Sequence, residues 1–317
     1  MPVRVGTSSC LLGNRVRYDG GHARARYLTD TLAHHAELVT VCPEVEMGMP
    51  TPRPSVRIVE EPAGTDRLVD PKSGEDWTAR AEEHARSRVA ALAEEPLDGF
   101  VLKKDSPSCG MERVKAWMGD GRSRGKKAVG FFARALLEAF PDLPVEEDGR
   151  LNDPLLRESF LERVWSRNRW RSLRASDPTP ARLVQFHTAH KILLSTHDDA
   201  LYREAGRVVA GAGKRSLEAT LDEYGALFQA CLRRPAGRGR HVNALQHLLG
   251  HLGQALPGPE RQRISEAIEE YRSGTLPLMA PVSLLRFLFT QHGLDWPLAQ
   301  VYLAPFPKEL AVRSGGQ

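Results

Sequence analysis

Short apolar runs and helical patterns alternate through the first 147 residues, and then the alternation stops. VRVGTSS (3–9), ELVTVC (37–42) and GFVLKK (99–104) read as strands, and LPVEE (143–147) as a last one. Between them HARARYLTDTLAHH (22–35), DWTARAEEHARSRVAALAEE (76–95) and KAVGFFARALLEAF (127–140) repeat apolar residues at helical spacing. Strands separated by helices pair in parallel and carry the helices on the sheet faces. Past PDLPVEEDGRLNDP (141–154), dense in Pro, Asp and Gly, only three- and four-residue spacing remains. Gly and Pro break that half near 211–213, 235–239, 257–259 and 274–281, and SGGQ (314–317) reads as a frayed end. The expectation is an α/β domain over 1–150, a mostly parallel sheet flanked by helices, followed by an all-α second domain over 151–317.

A length of 317 residues agrees with two domains. No run approaches the ~18–20 apolar residues of a membrane span, and MPVRVGTSS has no export-signal pattern. The chain therefore reads as cytoplasmic, with no membrane and no protein partner implied. Four scattered cysteines in such a chain point to metal binding or catalysis rather than disulfides. Charge is divided unevenly: 22 Lys and Arg face 24 Asp and Glu over 1–150, but 22 face 16 over 151–317. A polyanionic partner belongs mainly with the second half.

Cys10 follows the first strand, Cys42 closes the second, and Cys109 comes five residues after the third. In a parallel sheet the carboxyl ends of the strands face one way, and ligands bind in the crevice outside them. A lone free cysteine is more often a small core residue. Three at equivalent strand ends instead point to one shared site. A closed structural zinc site takes four protein ligands, and a four-iron cluster normally takes four cysteines. With three, one iron stays open to water or substrate. Zinc held by three cysteines and a water satisfies the same spacing.

Glu44 and Ser106 fall on the same loops and should face the same crevice, Glu44 as general acid or base and Ser106 as a hydroxyl that positions water or stabilises a developing charge. Alone, Ser106 is also a turn residue before Pro107. Ser8, Ser9 and the Gly13–Asn14 turn read as capping groups first, and as donors to a cluster sulfur second. Arg53, Lys103 and Lys104 are candidates for phosphate or sulfide electrostatics.

In the second half, LLRESFLERVWSRNRWRSLRA (155–175) sets Arg163, Arg167, Arg169, Arg171 and Arg174 around Trp165 and Trp170. Guanidinium forks suit phosphates, whereas the tryptophans read as core. RRPAGRGRH (233–241) puts Arg238 and Arg240 in a basic turn suited to an RNA backbone. His187 with His190, and His247 with His251, lack the acidic partner of a zinc protease and read as structural or RNA contacts. Cys231, within LFQACL, reads as core.

SSCLLGNRVRYDGG, VCPEVEMGMPTPRP and LKKDSPSCG, in that order, closely resemble the TudS-like thiouracil desulfidase family. FHTAHKILLSTH and HVNALQHLLGHL resemble the YbgA-like helical family. The resemblance implies a 4Fe-4S cluster on Cys10, Cys42 and Cys109 with one iron not ligated by protein, and it puts Glu44 and Ser106 at catalytic positions. The pairing of the two is similar to that in a transfer RNA 4-thiouridine desulfidase, whose helical domain is implied to hold the RNA. The expected reaction is non-redox hydrolysis of a carbon–sulfur bond. Alternatives are the same chemistry on free thiouracil or thionucleosides, a non-enzymatic iron–sulfur RNA-binding module, and a zinc protein.

Overall fold

The computed structural model describes residues 1–61, 65–253 and 256–310; the SGGQ end lies outside them. The chain divides into two compact units, Pro2–Phe160 and Leu161 onward.

The first unit holds strands β1 (Arg4–Ser8), β2 (Glu37–Val41), β3 (Arg57–Glu60), β4 (Asp66–Val69), β5 (Gly99–Leu102), β6 (Val114–Met118), β7 (Ser123–Ala128) and β8 (Val145–Glu147). Its α-helices are α1 (Pro43–Glu46), α2 (Thr78–Ala93) and α3 (Phe131–Ala139). The first sheet runs β2-β1-β5-β8 with every pair parallel. β5 is buried throughout and β1 nearly so, as strands covered on both faces must be. Phe100, Leu102, Val41 and Val145 of this sheet pack with Val89 and Leu92 of α2 and Phe132 and Leu136 of α3.

Three features depart from the sequence expectation. A second sheet, β4-β3-β6-β7, joins one parallel pair to two antiparallel ones. Its strands are short and charged, so no apolar run announces them; Arg57 and Lys115 lie over the Trp117 ring at 5.0 and 4.0 Å and shield it. Consequently α3 starts at Phe131, because residues 123–128 belong to β7. The segment 22–35 is helical only from its middle, as a π turn (Tyr27–Thr31) and a 3-10 turn (Leu32–His34). Ahead of these, the Ala23 and Ala25 amides donate to the Cys10 and Leu11 carbonyls, which withdraws them from any helix.

The second unit is helical. It continues from α4 (Pro154–Ala175) through α5 (Pro180–His197), α6 (Asp199–Ala210), α7 (Leu217–Leu232), α8 (Arg238–Gly250), α9 (Gly258–Ser273), α10 (Met279–Gln291) and α11 (Asp295–Leu298). The division falls within α4 rather than at the 150/151 position read from the sequence. The first turns of α4 stay with the first unit, where Arg157 lies 4.9 Å over the Tyr27 ring. Trp170 is buried against Phe186, Tyr224 and Phe228, and Trp165 is buried as well, so both tryptophans are core. No helix among the described residues is long and apolar enough to cross a membrane.

His190 sits in this core. Its Nδ1 lies 2.8 Å from the Phe186 carbonyl and donates to it, its ring stacks on Phe186, and burial pushes its pKa down to about 3. In the unfolded chain it returns to about 6.5. Between those values the unfolded chain binds a proton that the folded one refuses. Stability is therefore full above pH 6.5 and falls as pH falls, by roughly 1.4 kcal/mol per unit. Urea unfolding followed by tryptophan fluorescence is expected to lose about 2 kcal/mol between pH 6.5 and 5 from this residue, and His190→Phe to remove that part of the slope.

Candidate active site

The carboxyl ends of β2, β1 and β5 lie side by side, and each leads into a loop that carries one cysteine. After β1, one 3-10 turn (Ser9–Leu12) presents Cys10 and closes on Gly13, whose φ of 92° is the left-handed conformation that glycine adopts without strain. The Cys10 carbonyl accepts from the Gly13 and Ala23 amides, and Asn14 Nδ2 donates to Ser9 Oγ at 2.8 Å. After β2, Cys42 precedes α1, which opens on Pro43. Glu46 Oε1 accepts the Cys42 amide at 2.7 Å, while its Oε2 lies 3.3 Å from His84 and 3.4 Å from Arg88 of α2.

The loop after β5 is held from two sides. Ser106 Oγ accepts the Ser108 and Cys109 amides at 3.2 and 3.1 Å. The Pro107 and Ser108 carbonyls accept the Phe131 and Phe132 amides, so this loop caps the N-terminus of α3. Gly130 allows that approach: a Cβ there would lie 2.6 Å from the Ser108 carbonyl and 2.9 Å from the Cys109 nitrogen.

Cys10, Cys42 and Cys109 line one cavity of about 350 Å³ together with Glu44, Ser106 and Arg53. All the cysteines are free. Burial raises all three thiol pKa values, Cys10 to about 11, and Cys109, fully buried, furthest. The positive charges of Lys103 and Arg17 pull Cys10 back down. Ser8 hydrogen-bonds the Cys109 thiol, and its Oγ accepts the Lys103 amide at 3.0 Å. Metal-free, these are neutral thiols, so binding a metal must displace protons. Among the described residues no three His, Cys, Asp or Glu side chains are grouped to hold a single metal ion.

Glu44 is half-buried and held at both oxygens. Arg53 donates to Oε2 through Nε at 3.1 Å and Nη2 at 2.5 Å, and Ser108 Oγ donates to Oε1 at 2.9 Å. Ser108 escaped the sequence reading, which chose Ser106 of the two serines flanking Pro107. The signal was the pair itself: one hydroxyl turns the chain, and the other is free to face Glu44.

Several of the basic residues singled out in the second unit have partners within it. Arg163, Arg167, Arg169, Arg171 and Arg174 are half-buried. Arg174 pairs with Asp222 at 2.8 Å, and burial lowers Arg169 to about 10 while it reaches the Ala304 carbonyl. Arg238 and Arg240 are exposed but donate to the Tyr271 and His197 carbonyls. His187 lies 3.3 Å from the Tyr224 hydroxyl, and the His247 and His251 rings meet edge to face. Cys231 is fully buried, its thiol 3.3 Å from the Leu194 carbonyl.

A family model described as 2-thiouracil desulfurase matches residues 5–148, and one described as a protein of unknown function, DUF1722, matches 191–307. The uncharacterized protein YbbK of Bacillus subtilis (strain 168) is 33% identical over 153 residues, which make up 47% of this chain and 97% of YbbK. The uncharacterized protein YbgA of Escherichia coli (strain K12) is 26% identical over 160 residues, 50% of this chain and 95% of YbgA. The solved structure of the 4Fe-4S-dependent thiouracil desulfidase TudS is 30% identical, with 50% of this chain and 98% of that one covered and a TM-score of 0.39.

Gly130→Ala is expected to push the Cys109 loop off α3 and cost about 1–3 kcal/mol in urea unfolding. Hydrogen exchange at the Phe131 and Phe132 amides should accelerate with it.

Proposed function

The chain belongs to the 2-thiouracil desulfurase family through residues 5–148, and on that premise we propose that it is an iron–sulfur desulfidase that removes sulfur from 4-thiouridine in transfer RNA to leave uridine. The observation that carries this reading is the meeting of Cys10, Cys42 and Cys109 with Glu44 at one cavity. The donor set suits a 4Fe-4S cluster: three thiols around one volume, cations beside them to offset an anionic group, and the fourth cysteine buried in the other unit. Cys10, Cys42 and Cys109 would hold it, leaving one iron without a protein ligand. When bound, that group supplies a Lewis-acidic iron for the substrate's sulfur and leaves the ring carbon electron-poor.

The chain's own residues then handle the water. The net reaction takes a thiocarbonyl and water to a carbonyl and hydrogen sulfide, with no electrons exchanged. Two Arg53 donors occupy Glu44 Oε2, whereas Oε1 accepts only Ser108 and keeps a lone pair. Oε1 is therefore the atom that takes a proton from attacking water and returns it to the departing sulfur. Ser106, with both of its bonds accepted from amides, keeps its hydroxyl proton to donate to charge developing on the ring.

RNA as the carrier of the base is supported by the six-charge surplus of the second half and by Arg238 and Arg240 at the exposed start of α8. Arg163, Arg167, Arg169, Arg171 and Arg174 would contribute through their field, being half-buried.

The deciding experiment incubates cluster-reconstituted protein anaerobically with 4-thiouridine-containing transfer RNA, and in parallel with free 2-thiouracil, followed by mass spectrometry. Conversion of the RNA to uridine is expected. Reaction of the free base alone would remove the RNA assignment and leave the desulfidase, the reading that the family model's description favours. Failure of both with a loaded cluster would leave a binding module. Cys10→Ala, Cys42→Ala and Cys109→Ala should each lose bound iron and activity, while Cys231→Ala keeps both. Glu44→Gln should keep its iron and lose about 100-fold in turnover.

A further inference from the structure

Arg53 is the most completely engaged cation at the cavity, and the proposed chemistry gives it no proton or substrate to handle. Its side chain is only 4% exposed. Besides its two bonds to Glu44 Oε2, Nη2 donates to the Val16 carbonyl at 2.9 Å, and Nη1 donates to the Pro50 carbonyl and Thr51 Oγ1, each at 3.2 Å. Its backbone amide donates to the Tyr18 carbonyl at 2.8 Å. One guanidinium thus fastens the Glu44 carboxylate to the wall that follows Cys10. On the other side, Ser108 fastens the same carboxylate to the Cys109 loop.

Two features separate this from a simple brace. Both guanidinium donors on Glu44 go to the same oxygen, Oε2. That choice fills one oxygen and leaves the other, Oε1, which accepts only Ser108 Oγ, with acceptor capacity to spare at the cavity that Glu44 lines. Furthermore, the fork is planar and fixed by three other acceptors, so the carboxylate cannot rotate to exchange its oxygens without breaking bonds in a buried setting.

We infer that Arg53 is the positioning residue of the reaction: it fixes which oxygen of Glu44 faces the water and keeps that oxygen aligned through turnover. This rests on the desulfidase reading above. A lysine carries the same charge but cannot reproduce the fork, so it separates orientation from electrostatics.

The test is a double-mutant cycle in cluster-reconstituted full-length protein, using Arg53→Lys, Glu44→Gln and both together, with iron and acid-labile sulfide content, the spectrum of the reduced cluster, and Tm recorded for each. Arg53→Lys is expected to lower kcat about 10–30-fold, a fraction of a general base's usual worth, with KM within about twofold and an unchanged cluster signal. In the Glu44→Gln background the same change should cost less than about twofold, because a residue that acts through Glu44 has nothing left to position. Equal losses in both backgrounds would overturn the inference, as would a kcat loss that tracks cluster content or Tm. Should Glu44→Gln be too slow to measure, Arg53→Lys alone decides: an unchanged kcat overturns the role, and a kcat loss at constant KM, Tm and cluster signal upholds it. An inactive parent with a loaded cluster sinks the desulfidase reading and this role together, whereas an active parent with additive variants sinks only the role.

Discussion

The site depends first on the parallel hydrogen bonding of β1 to both its neighbours. Val5 pairs with Leu38 on one side and with Gly99 on the other, so the three strands run the same way and end at the same edge. Reverse any one of them and its cysteine would leave from the far edge of the sheet. Parallel pairing is also what requires the helical crossovers, and α2 and α3 bury the sheet that aims the loops. The same constraint that makes the core makes the crevice.

Strand ends alone deliver loops to a neighbourhood, not to a geometry. The polar chain from Ser108 through Glu44 to Arg53 and the Val16 carbonyl supplies the rest, linking all three cysteine loops through one carboxylate. A buried ion pair is poor evidence of stability, since desolvation offsets much of its attraction. Its value here is geometric. Side chains with several fixed acceptors cannot be satisfied in an alternative arrangement, so the loops share a single low-energy placement. The capping of α3 by the Cys109 loop adds a second restraint, in which helix amides that need acceptors find them in the loop that needs anchoring.

Much of this was legible in the sequence, for a physical reason in each case. Buried parallel strands require apolar runs, so β1 and β5 stood out, and the β-branched ELVTV of the half-exposed edge strand β2 stood out by composition, and with them the loops of Cys10, Cys42 and Cys109. The second sheet did not, because SRGKKA and VKAWM pair at a half-exposed surface where charged side chains are tolerated and cation–ring contacts replace apolar burial. The 22–25 stretch had helical spacing but spent its amides on the Cys10 turn, a long-range demand no local pattern records. Arg53 was read as a cation near the site. That it serves Glu44 depends on a contact nine residues away, folded back by the intervening turn.

The basic turn 233–240 shows how a charge pattern read from sequence acquires a different local meaning in the fold. Arg234 pairs with Asp198, whose Oδ1 caps α6 by accepting the Leu201 amide, and the Arg234 carbonyl accepts from His197 Nδ1 at 2.6 Å. Arg240 donates to the His197 carbonyl. These arginines close the joint between α5 and α6, and each guanidinium brings five N–H donors to it. Phosphates drawn to this turn would therefore meet a fixed field and the donors left over, not a free fork reaching outward. Binding of that kind follows counterion release, is graded by salt, and carries little sequence preference. If the second unit holds RNA this way, the choice of base belongs to the cavity at the ends of β2, β1 and β5.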